Sequence, residues 1–355
     1  MTDLLALTAE LVDIPSVSWE EQAIADRFES ELRAVTWLDV DRIGDNVVGR
    51  TNLGRPTRLV LAGHTDTVPA NGNAQATVDG ERLFGVGSAD MKSGLAVMLD
   101  LARTISSPTV DVTYIFYARE EIAFEHSGLQ ELAAERPELL DGDVALLGEP
   151  TDGAIEAGCQ GTMRLRVVLR GERAHTARPW MGRNAIHRLA ELLALLEQYE
   201  ERRPVLDGCE YREALQAVRV EGGVASNVVP DHVEVTVNHR FAPDRTPAEA
   251  EHHIRQVLAP AIGEADQVEM IDVAAGAAPS LTHPVLQALI ERNALEVRAK
   301  LGWTDVSFFA ARGVPAANFG PGDSEVAHTA GEWVDRDQIQ RVHQAVSRLL
   351  AGAGE

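Results

Sequence analysis

Three short apolar stretches, each followed at once by acidic residues or histidine, constrain the fold of this chain more than any other feature. They are 59–62, followed by His64 and Asp66; 111–118, followed by Glu120 and Glu121; and 144–147, followed by Glu149. Short apolar runs rich in β-branched residues are typical of buried strands, and helical patterns separate these three, so the sequence predicts a largely parallel sheet. Parallel strands end at the same edge of a sheet, where α/β proteins place their ligands. We therefore expect these polar side chains to share one crevice.

A glycine-rich segment, GVGSAD, brings a further acid, Asp90, to the start of a helix predicted over 91–101. Gly85-x-Gly87 could begin a dinucleotide-binding loop, but the third glycine is missing and Asp90 would repel a pyrophosphate. Carboxylates held close together cannot all stay ionised unless a cation compensates them. The alternative is that each acid lies in a separate, solvated loop. This is plausible for any one of these residues but much less plausible for all of them together. The sequence therefore predicts a metal site at the edge of the sheet.

The net charge of −23 excludes two classes of partner, because nucleic acid and anionic membrane surfaces would both be repelled. The two cysteines, Cys159 and Cys209, have no metal-binding or redox spacing and fit a reducing compartment. No apolar run reaches about 18 residues and the N-terminus is acidic, so neither a membrane span nor a signal peptide is predicted. We expect a cytoplasmic protein.

A length of 355 residues with 45% apolar content predicts two domains. Between 161 and 278 the pattern changes to strand, helix, two strands and a helix that Thr246 caps, which predicts a smaller ferredoxin-like α+β domain. It would interrupt an α/β domain made of 1–160 and 279–355, whose mostly parallel sheet has helices on both faces. Because the smaller sheet has an uncovered face and free edges, we expect this domain to form a homodimer.

Two local patterns predict helix boundaries outside these features. Ser18 followed three residues later by Glu21 is a capping box, which predicts a helix that ends near Arg33. The apolar spacing after Pro284 predicts another helix over 285–298. Both helices would belong to the larger domain.

Six motifs in this order, GHTDTVP, GVGSADMKSG, AREE, LGEPTD, ERAHTARPW and AHTAGEW, resemble those of the M20 family of metallopeptidases, and the resemblance spans about 11–350. It implies a catalytic domain interrupted by a dimerisation, or lid, domain. It also implies hydrolysis of N-succinyl-LL-2,6-diaminopimelate to succinate and LL-2,6-diaminopimelate, a step towards lysine and cell-wall precursors. The nearest alternative is another N-acyl-amino-acid deacylase, such as an acetylornithine deacetylase, or a dipeptidase. A non-catalytic dimeric binding protein is an alternative of a different class.

The resemblance assigns roles to the residues of the crevice and adds one histidine. It implies two zinc ions per subunit, with cobalt or manganese as substitutes, ligated by His64, Asp90, Glu121, Glu149 and His328. Asp90 would bridge the two ions. Glu120 would be the general base, and Asp66 would orient His64, a common arrangement for ligating histidines.

The resemblance also implies substrate contacts in both domains. His175 of the lid would reach the active site of the partner subunit and stabilise the oxyanion. Residues matching the substrate pocket are Arg178, Asn227, Arg240, Thr304, Gly320 and Gly322. Because a succinyl group and amino-acid carboxylates need cations in an acidic protein, the two arginines are the expected anion-binding groups.

Overall fold

The structure is a computed structural model, and it describes residues 2–351. In this range the helices are α1 (Leu4–Val12), α2 (Gln22–Arg33), α3 (Ser93–Thr104), α4 (Gly128–Glu135), α5 (Leu189–Glu197), α6 (Pro247–Leu258), α7 (Pro284–Asn293), α8 (Val306–Ala311) and α9 (Arg336–Ala351). The strands are β1 (Asp39–Ile43), β2 (Asn46–Arg50), β3 (Arg58–His64), β4 (Thr77–Asp79), β5 (Arg82–Phe84), β6 (Asp111–Tyr117), β7 (Val144–Leu147), β8 (Ile155–Ala157), β9 (Gly161–Arg170), β10 (Ala174–His175), β11 (Val205–Leu206), β12 (Cys209–Glu210), β13 (Ala214–Gly222), β14 (Val228–Val229), β15 (His232–Phe241), β16 (Gln267–Ala274), β17 (Val297–Ala299), β18 (Ala316–Asn318) and β19 (Trp333–Asp335). No helix within 2–351 has both the length and the apolar character needed to cross a membrane.

The chain divides into two compact units. The first contains the chain up to Ala157, Pro279–Arg298 and the chain from Phe308 onward, and the second contains Gly158–Ala278 and Ala299–Ser307. The last of these segments, which includes Thr304, was expected in the first domain. It groups with the second unit because its side chains bond there: the indole N–H of Trp303 and the hydroxyl of Ser307 both donate to the carbonyl of Ala275, at 3.1 and 2.7 Å.

A single large sheet organises the first unit. Its strand order is β1-β2-β6-β3-β7-β18-β8-β17, and the central strands β6, β3, β7 and β18 run parallel. Every residue of β3 from Leu59 to His64 is buried. Because successive side chains of a strand point to opposite faces, both faces of the sheet are covered at β3. The predicted α/β class with a mostly parallel central sheet is confirmed.

Apolar packing against this sheet holds the first unit together. Leu59 and Leu61 belong to one buried cluster with Leu95 of α3, Leu11 of α1 and Val346 of α9. Full burial of each such side chain contributes roughly 1.5–3 kcal/mol. This rigid layer carries the loops that follow the parallel strands.

Two predicted helix boundaries are wrong. The capping box does not form: α2 starts at Gln22 with no side-chain cap, because Ser18 and Glu21 bond to loops at the edge of the sheet instead. The predicted helix over 285–298 ends at Asn293, because Ala294 adopts φ 49° and the chain then forms β17. In both places a tertiary contact or a new strand overrides the local pattern.

The second unit is an α+β unit with the chain order β9-α5-β13-β15-α6-β16, which is ferredoxin-like. Its four-stranded antiparallel sheet has the order β13-β15-β9-β16. Leu165 and Val167 of β9 pack with Leu192 of α5 and Ile254 of α6. The predicted cap of α6 is present, since Thr246 and Glu249 form a reciprocal capping box. The sequence pattern missed β16, where exposed and partly buried residues alternate without a strong apolar face.

Candidate metal centre

The carboxyl ends of three parallel strands meet at one edge of the first-unit sheet. In the strand register His64 of β3 lies opposite Tyr117 of β6, and Ala62 lies opposite Leu147 of β7. The polar residues that follow these strands therefore emerge at the same level. At this edge the structure brings His64 together with Asp90, Glu121 and His328.

Asp66 is a fully buried carboxylate that ties β3 to the loop after β6. Its Oδ1 accepts a hydrogen bond from the backbone N–H of Glu120 (2.9 Å), while its Oδ2 accepts from the N–H of Glu121 (3.1 Å) and the hydroxyl of Ser18 (2.7 Å). The Nδ1 atom of His64 lies 3.1 Å from the carbonyl oxygen of Asp66 and 3.5 Å from its Oδ1. Because a carbonyl oxygen only accepts, Nδ1 carries the hydrogen and Nε2 becomes the nitrogen that can bind a metal.

Asp90 lies in an irregular turn, 85–92, that leads into α3. Gly87 has φ 78° in this turn, a conformation that a residue without a side chain adopts at little cost. The Oε1 atom of buried Glu332 accepts hydrogen bonds from the N–H groups of Ala89 (2.9 Å) and Asp90 (3.0 Å). These two bonds fix the backbone position of Asp90.

Two histidines face different oxygens of the Asp90 carboxylate. His64 Nε2 lies 3.1 Å from Asp90 Oδ1, and His328 Nε2 lies 3.5 Å from Asp90 Oδ2. His328 Nε2 also lies 2.8 Å from Glu121 Oε1. A carboxylate that presents one oxygen to each of two imidazoles has the arrangement needed to bridge two cations.

The electrostatics of this cluster favour added positive charge. Hydrogen bonds with Asp90 and Glu121 raise the pKa of His328 to about 10. Burial alone would lower the pKa of His64, but its bonds with Asp66 and Asp90 raise it well above the usual value. Burial would likewise raise the pKa of Asp90, yet the bonds from His328 and His64 outweigh burial and lower it. The carboxylates thus favour the protonated form of both imidazoles, and a divalent cation would take the place of the proton.

The donor atoms fit a metal ion. His64, Asp90 and Glu121 each offer one ligand atom, and these atoms lie within 4.8 Å of one another. Mixed imidazole and carboxylate donors suit zinc, cobalt and manganese. The residues present are therefore compatible with the divalent metal that the sequence predicts.

Glu149 and two glycines lie on neighbouring loops. Glu149 is buried and follows β7, which runs parallel to β3. A Cβ atom at Gly320 would come within 2.4 Å of the Glu149 carbonyl oxygen. Gly322, with φ 85°, would place a Cβ atom 2.8 Å from that of Ala89, the residue before Asp90 in the chain. Both predicted pocket glycines thus allow close packing of the loops that carry the acids.

The predicted residues of the second unit are held less firmly. His175, Arg178 and Asn227 are exposed, and Nδ1 of His175 accepts a hydrogen bond from the backbone N–H two residues later (3.0 Å). Arg240 is partly buried, which lowers its pKa, and no carboxylate among the described residues forms an ion pair with it. Thr304 is buried.

Sequence reasoning missed the contacts by which Glu332 and Ser18 support the cluster, and it missed the buried Lys92. Glu332 and Ser18 make the hydrogen bonds described above, and Lys92 is buried, with its Nζ donating to the carbonyl of Ile14 at 2.7 Å. Burial lowers the pKa of Lys92 to about 7 and raises the pKa of Glu332 to about 7. Lys92 and Glu332 could have been noticed as ionisable side chains within a few residues of the predicted ligands Asp90 and His328.

Comparisons with known proteins agree with this geometry. The model of peptidase family M20/M25/M40 matches residues 60–352. The chain is 50% identical to DapE of Mycobacterium tuberculosis (strain ATCC 25618 / H37Rv), which carries a provisional assignment as succinyl-diaminopimelate desuccinylase, over 99% of this chain and 98% of the relative. It is 44% identical to a succinyl-diaminopimelate desuccinylase of Corynebacterium glutamicum, over 98% and 96%.

Among solved structures, a tripeptidase of Staphylococcus aureus superposes with a TM-score of 0.80 at 22% identity, covering 98% of this chain and 96% of the other. This likeness supports the fold. The family match and the two relatives confirm the resemblance seen in the motifs, and this chain belongs to peptidase family M20/M25/M40.

Proposed function

We propose that this chain hydrolyses N-succinyl-LL-2,6-diaminopimelate to succinate and LL-2,6-diaminopimelate. The observation that carries the proposal is the pair of relatives described above, which match nearly the whole chain. The cluster around Asp90 supports amide hydrolysis, because every ligand and base position that the resemblance implies holds a suitable side chain. The same completeness argues against a non-catalytic binding protein.

We propose two zinc ions per subunit, with cobalt or manganese as substitutes. His328 and Glu121, which are 2.8 Å apart, would hold one ion, His64 and Glu149 the other, and Asp90 both. The pair of ions would supply an activated water molecule and polarise the scissile carbonyl. Glu120 would take the proton of the attacking water and deliver it to the leaving amide nitrogen. The hydrogen bond from the Glu120 backbone to Asp66 supports this role, since it holds the base beside the ligand Glu121.

For the second unit we propose a dimerisation, or lid, role, with His175 serving the active site of the partner subunit. Exposed apolar side chains on β13, Val218 and Val220, support an interface there. We also propose that the protein works in the cytoplasm, since both cysteines are free thiols.

Specificity for the succinyl group would depend on Arg240, assisted by Arg178, with Asn227 and Thr304 as hydrogen-bonding groups. A partly buried guanidinium without an ion-pair partner favours a substrate carboxylate as its counterion. An N-acetyl substrate would leave these groups unpaired, which should cost roughly 2–4 kcal/mol in transition-state binding.

The deciding experiment compares kcat/KM for N-succinyl-diaminopimelate and N-acetylornithine on the zinc-loaded protein. We expect the succinyl substrate to be preferred by roughly 30-fold or more, the low end of that free-energy range. Arg240→Gln should remove most of the preference, while Arg164→Gln, on the neighbouring strand β9 and paired with Asp272, is the matched control. Equal or better use of N-acetylornithine would reassign the substrate and leave the metal chemistry intact.

A further inference from the structure

Strained backbone is concentrated around the candidate metal centre. Within residues 2–351, the non-glycine residues with positive φ are Trp19, Arg119, Asp152, Asp207, Ala294 and His328. Aspartate and histidine tolerate this conformation, and Ala294 ends a helix, but the large side chains at Trp19 (φ 77°) and Arg119 (φ 62°) do not favour it. Such outliers persist at functional sites because the surrounding structure enforces them. His328 belongs to the cluster and Arg119 precedes Glu120, which leaves Trp19 to be explained.

Anchored neighbours hold Trp19 in this conformation. The hydroxyl of Ser18 donates to Asp66 (2.7 Å), and the N–H of Glu20 donates to the carbonyl of Val17 (2.7 Å), so the backbone is fixed on both sides of the tryptophan. Glycine would adopt φ 77° without strain. The choice of a large aromatic residue is therefore not explained by the turn.

The Trp19 ring lies against Arg119, the residue that precedes the predicted base in the chain. The guanidinium carbon of Arg119 is 5.0 Å from the ring centroid, and the ring of His126 is 5.4 Å away. Arg119 is itself fixed by hydrogen bonds to the carbonyl of His126 (2.8 Å) and to Glu131 (2.5 Å). The ring is thus held against the fixed side chain of the residue that directly precedes Glu120 in the chain.

This positioned ring is still 61% exposed. An exposed indole in a strained backbone stabilises the free protein little, whereas it offers a rigid apolar surface to a ligand. We propose that Trp19 forms a wall of the substrate site next to Glu120, where its ring contacts the methylene groups of the bound N-acyl amino acid. This proposal rests on the proposed function for the identity of the substrate. Trp19 is thus a substrate-binding residue that determines affinity more than the rate of the chemical step.

The test compares Trp19→Gly, which keeps the turn and removes the ring, with Trp19→Phe, which keeps an aromatic surface. In the zinc-loaded protein, Trp19→Gly should raise KM for N-succinyl-diaminopimelate ~10-fold with kcat little changed, the pattern of lost uniform binding. Trp19→Phe should restore most of the affinity. Melting temperature and zinc content should not fall in either variant, because the exposed ring contributes little packing.

A binding measurement makes the test independent of turnover. Calorimetry with the Glu120→Gln protein should give a Kd for N-succinyl-diaminopimelate that weakens ~10-fold when Trp19→Gly is added. An unchanged KM and Kd in the glycine variant would overturn the proposal, and so would a phenylalanine variant as poor as glycine. A lower melting temperature with unchanged KM would show that the ring stabilises the position of Arg119 and does not contact the substrate. If the wild type prefers another N-acyl amino acid, the proposed function fails and the same comparison is made with that compound.

Discussion

The metal cluster of the first unit and the candidate substrate residues of the second unit differ in how firmly the chain holds them. Asp66 and Glu332, both buried, accept four backbone hydrogen bonds from the loops that carry Glu120, Glu121 and Asp90. In the second unit His175 and Asn227 are exposed: Nδ1 of His175 accepts a hydrogen bond from the backbone N–H of Ala177, and the carbonyl of Asn227 accepts one from the N–H of Thr176.

This difference indicates that the metal cluster and the exposed residues of the second unit have different roles. Metal ligands and a general base must be held close to their productive geometry before the substrate arrives, and a shell of buried hydrogen bonds does this. Exposed residues outside a packed core can instead adjust to the substrate or to a second subunit. Substitutions within the metal cluster should therefore affect metal binding or chemistry, whereas those at the exposed residues of the second unit should act through contacts with the substrate, including its transition state, and through assembly.

The largest effect is expected from Glu120→Gln. Removing the general base should lower kcat by ~10²-fold or more, the usual contribution of such a group. Zinc content should stay near normal, because the backbone N–H of residue 120 still donates to Asp66. Activity assays and zinc analysis on the same sample check both parts. A variant that loses zinc would mean that Glu120 is a ligand and that its role is exchanged with that of Glu121.

The second effect probes the less firmly held region through His175→Ala, which should lower kcat by roughly 10²-fold if the imidazole stabilises the oxyanion. Mixing this variant with Glu120→Gln tests whether the residue acts across subunits. In a mixed dimer, one site would carry both defects and the other neither, so activity should recover to about half in the mixed species. No recovery, with the heterodimer verified by mass spectrometry, would mean that His175 acts within its own chain or not at all.

Sequence reasoning predicted the central sheet and its edge because those depend on short-range patterns. An apolar run followed by His64, or by Glu120, directly predicts a strand that ends in a polar cluster. The supporting contacts could not be predicted from local patterns, because they join residues that are far apart in sequence. Ser18 and Asp66 are separated by 48 positions, and Glu332 and Asp90 by 242. The sequence pattern at Ser18 even favoured a different role, a helix cap, which the contact with Asp66 displaced.

The third prediction concerns Glu332, which supports Asp90 without being a predicted ligand. Its Oε1 accepts both hydrogen bonds from the turn, so Glu332→Ala should free the turn and lower both zinc affinity and kcat/KM by roughly 10-fold, as supporting residues around metals do. Glu332→Gln keeps an oxygen acceptor and should stay within about threefold of wild type. Zinc titration of the metal-free variants measures the effect without turnover. Equal zinc affinity in the alanine variant would show that the turn holds Asp90 by itself.

The smallest effect is a pH dependence of metal binding. The pKa of His328 is raised to about 10 by Asp90 and Glu121, and that of His64 is raised well above its usual value. The imidazole of His328 is therefore protonated at pH 8 in the metal-free protein and must lose a proton to bind zinc, and the raised pKa of His64 acts in the same direction. Zinc affinity should then rise with pH up to about 10, by about tenfold per pH unit for each proton displaced, and weaken as pH falls.

Calorimetry of zinc binding at pH 8 in buffers of different ionisation enthalpy counts the released protons. Filling both sites should release about one proton from His328. In His328→Gln that proton should be missing, whereas His343→Gln, which removes a histidine paired with Asp100 outside the cluster, should release the wild-type number. Release that is unchanged in His328→Gln would mean that this imidazole is already neutral at pH 8, and that the firmly held cluster is not kept charged by its own carboxylates.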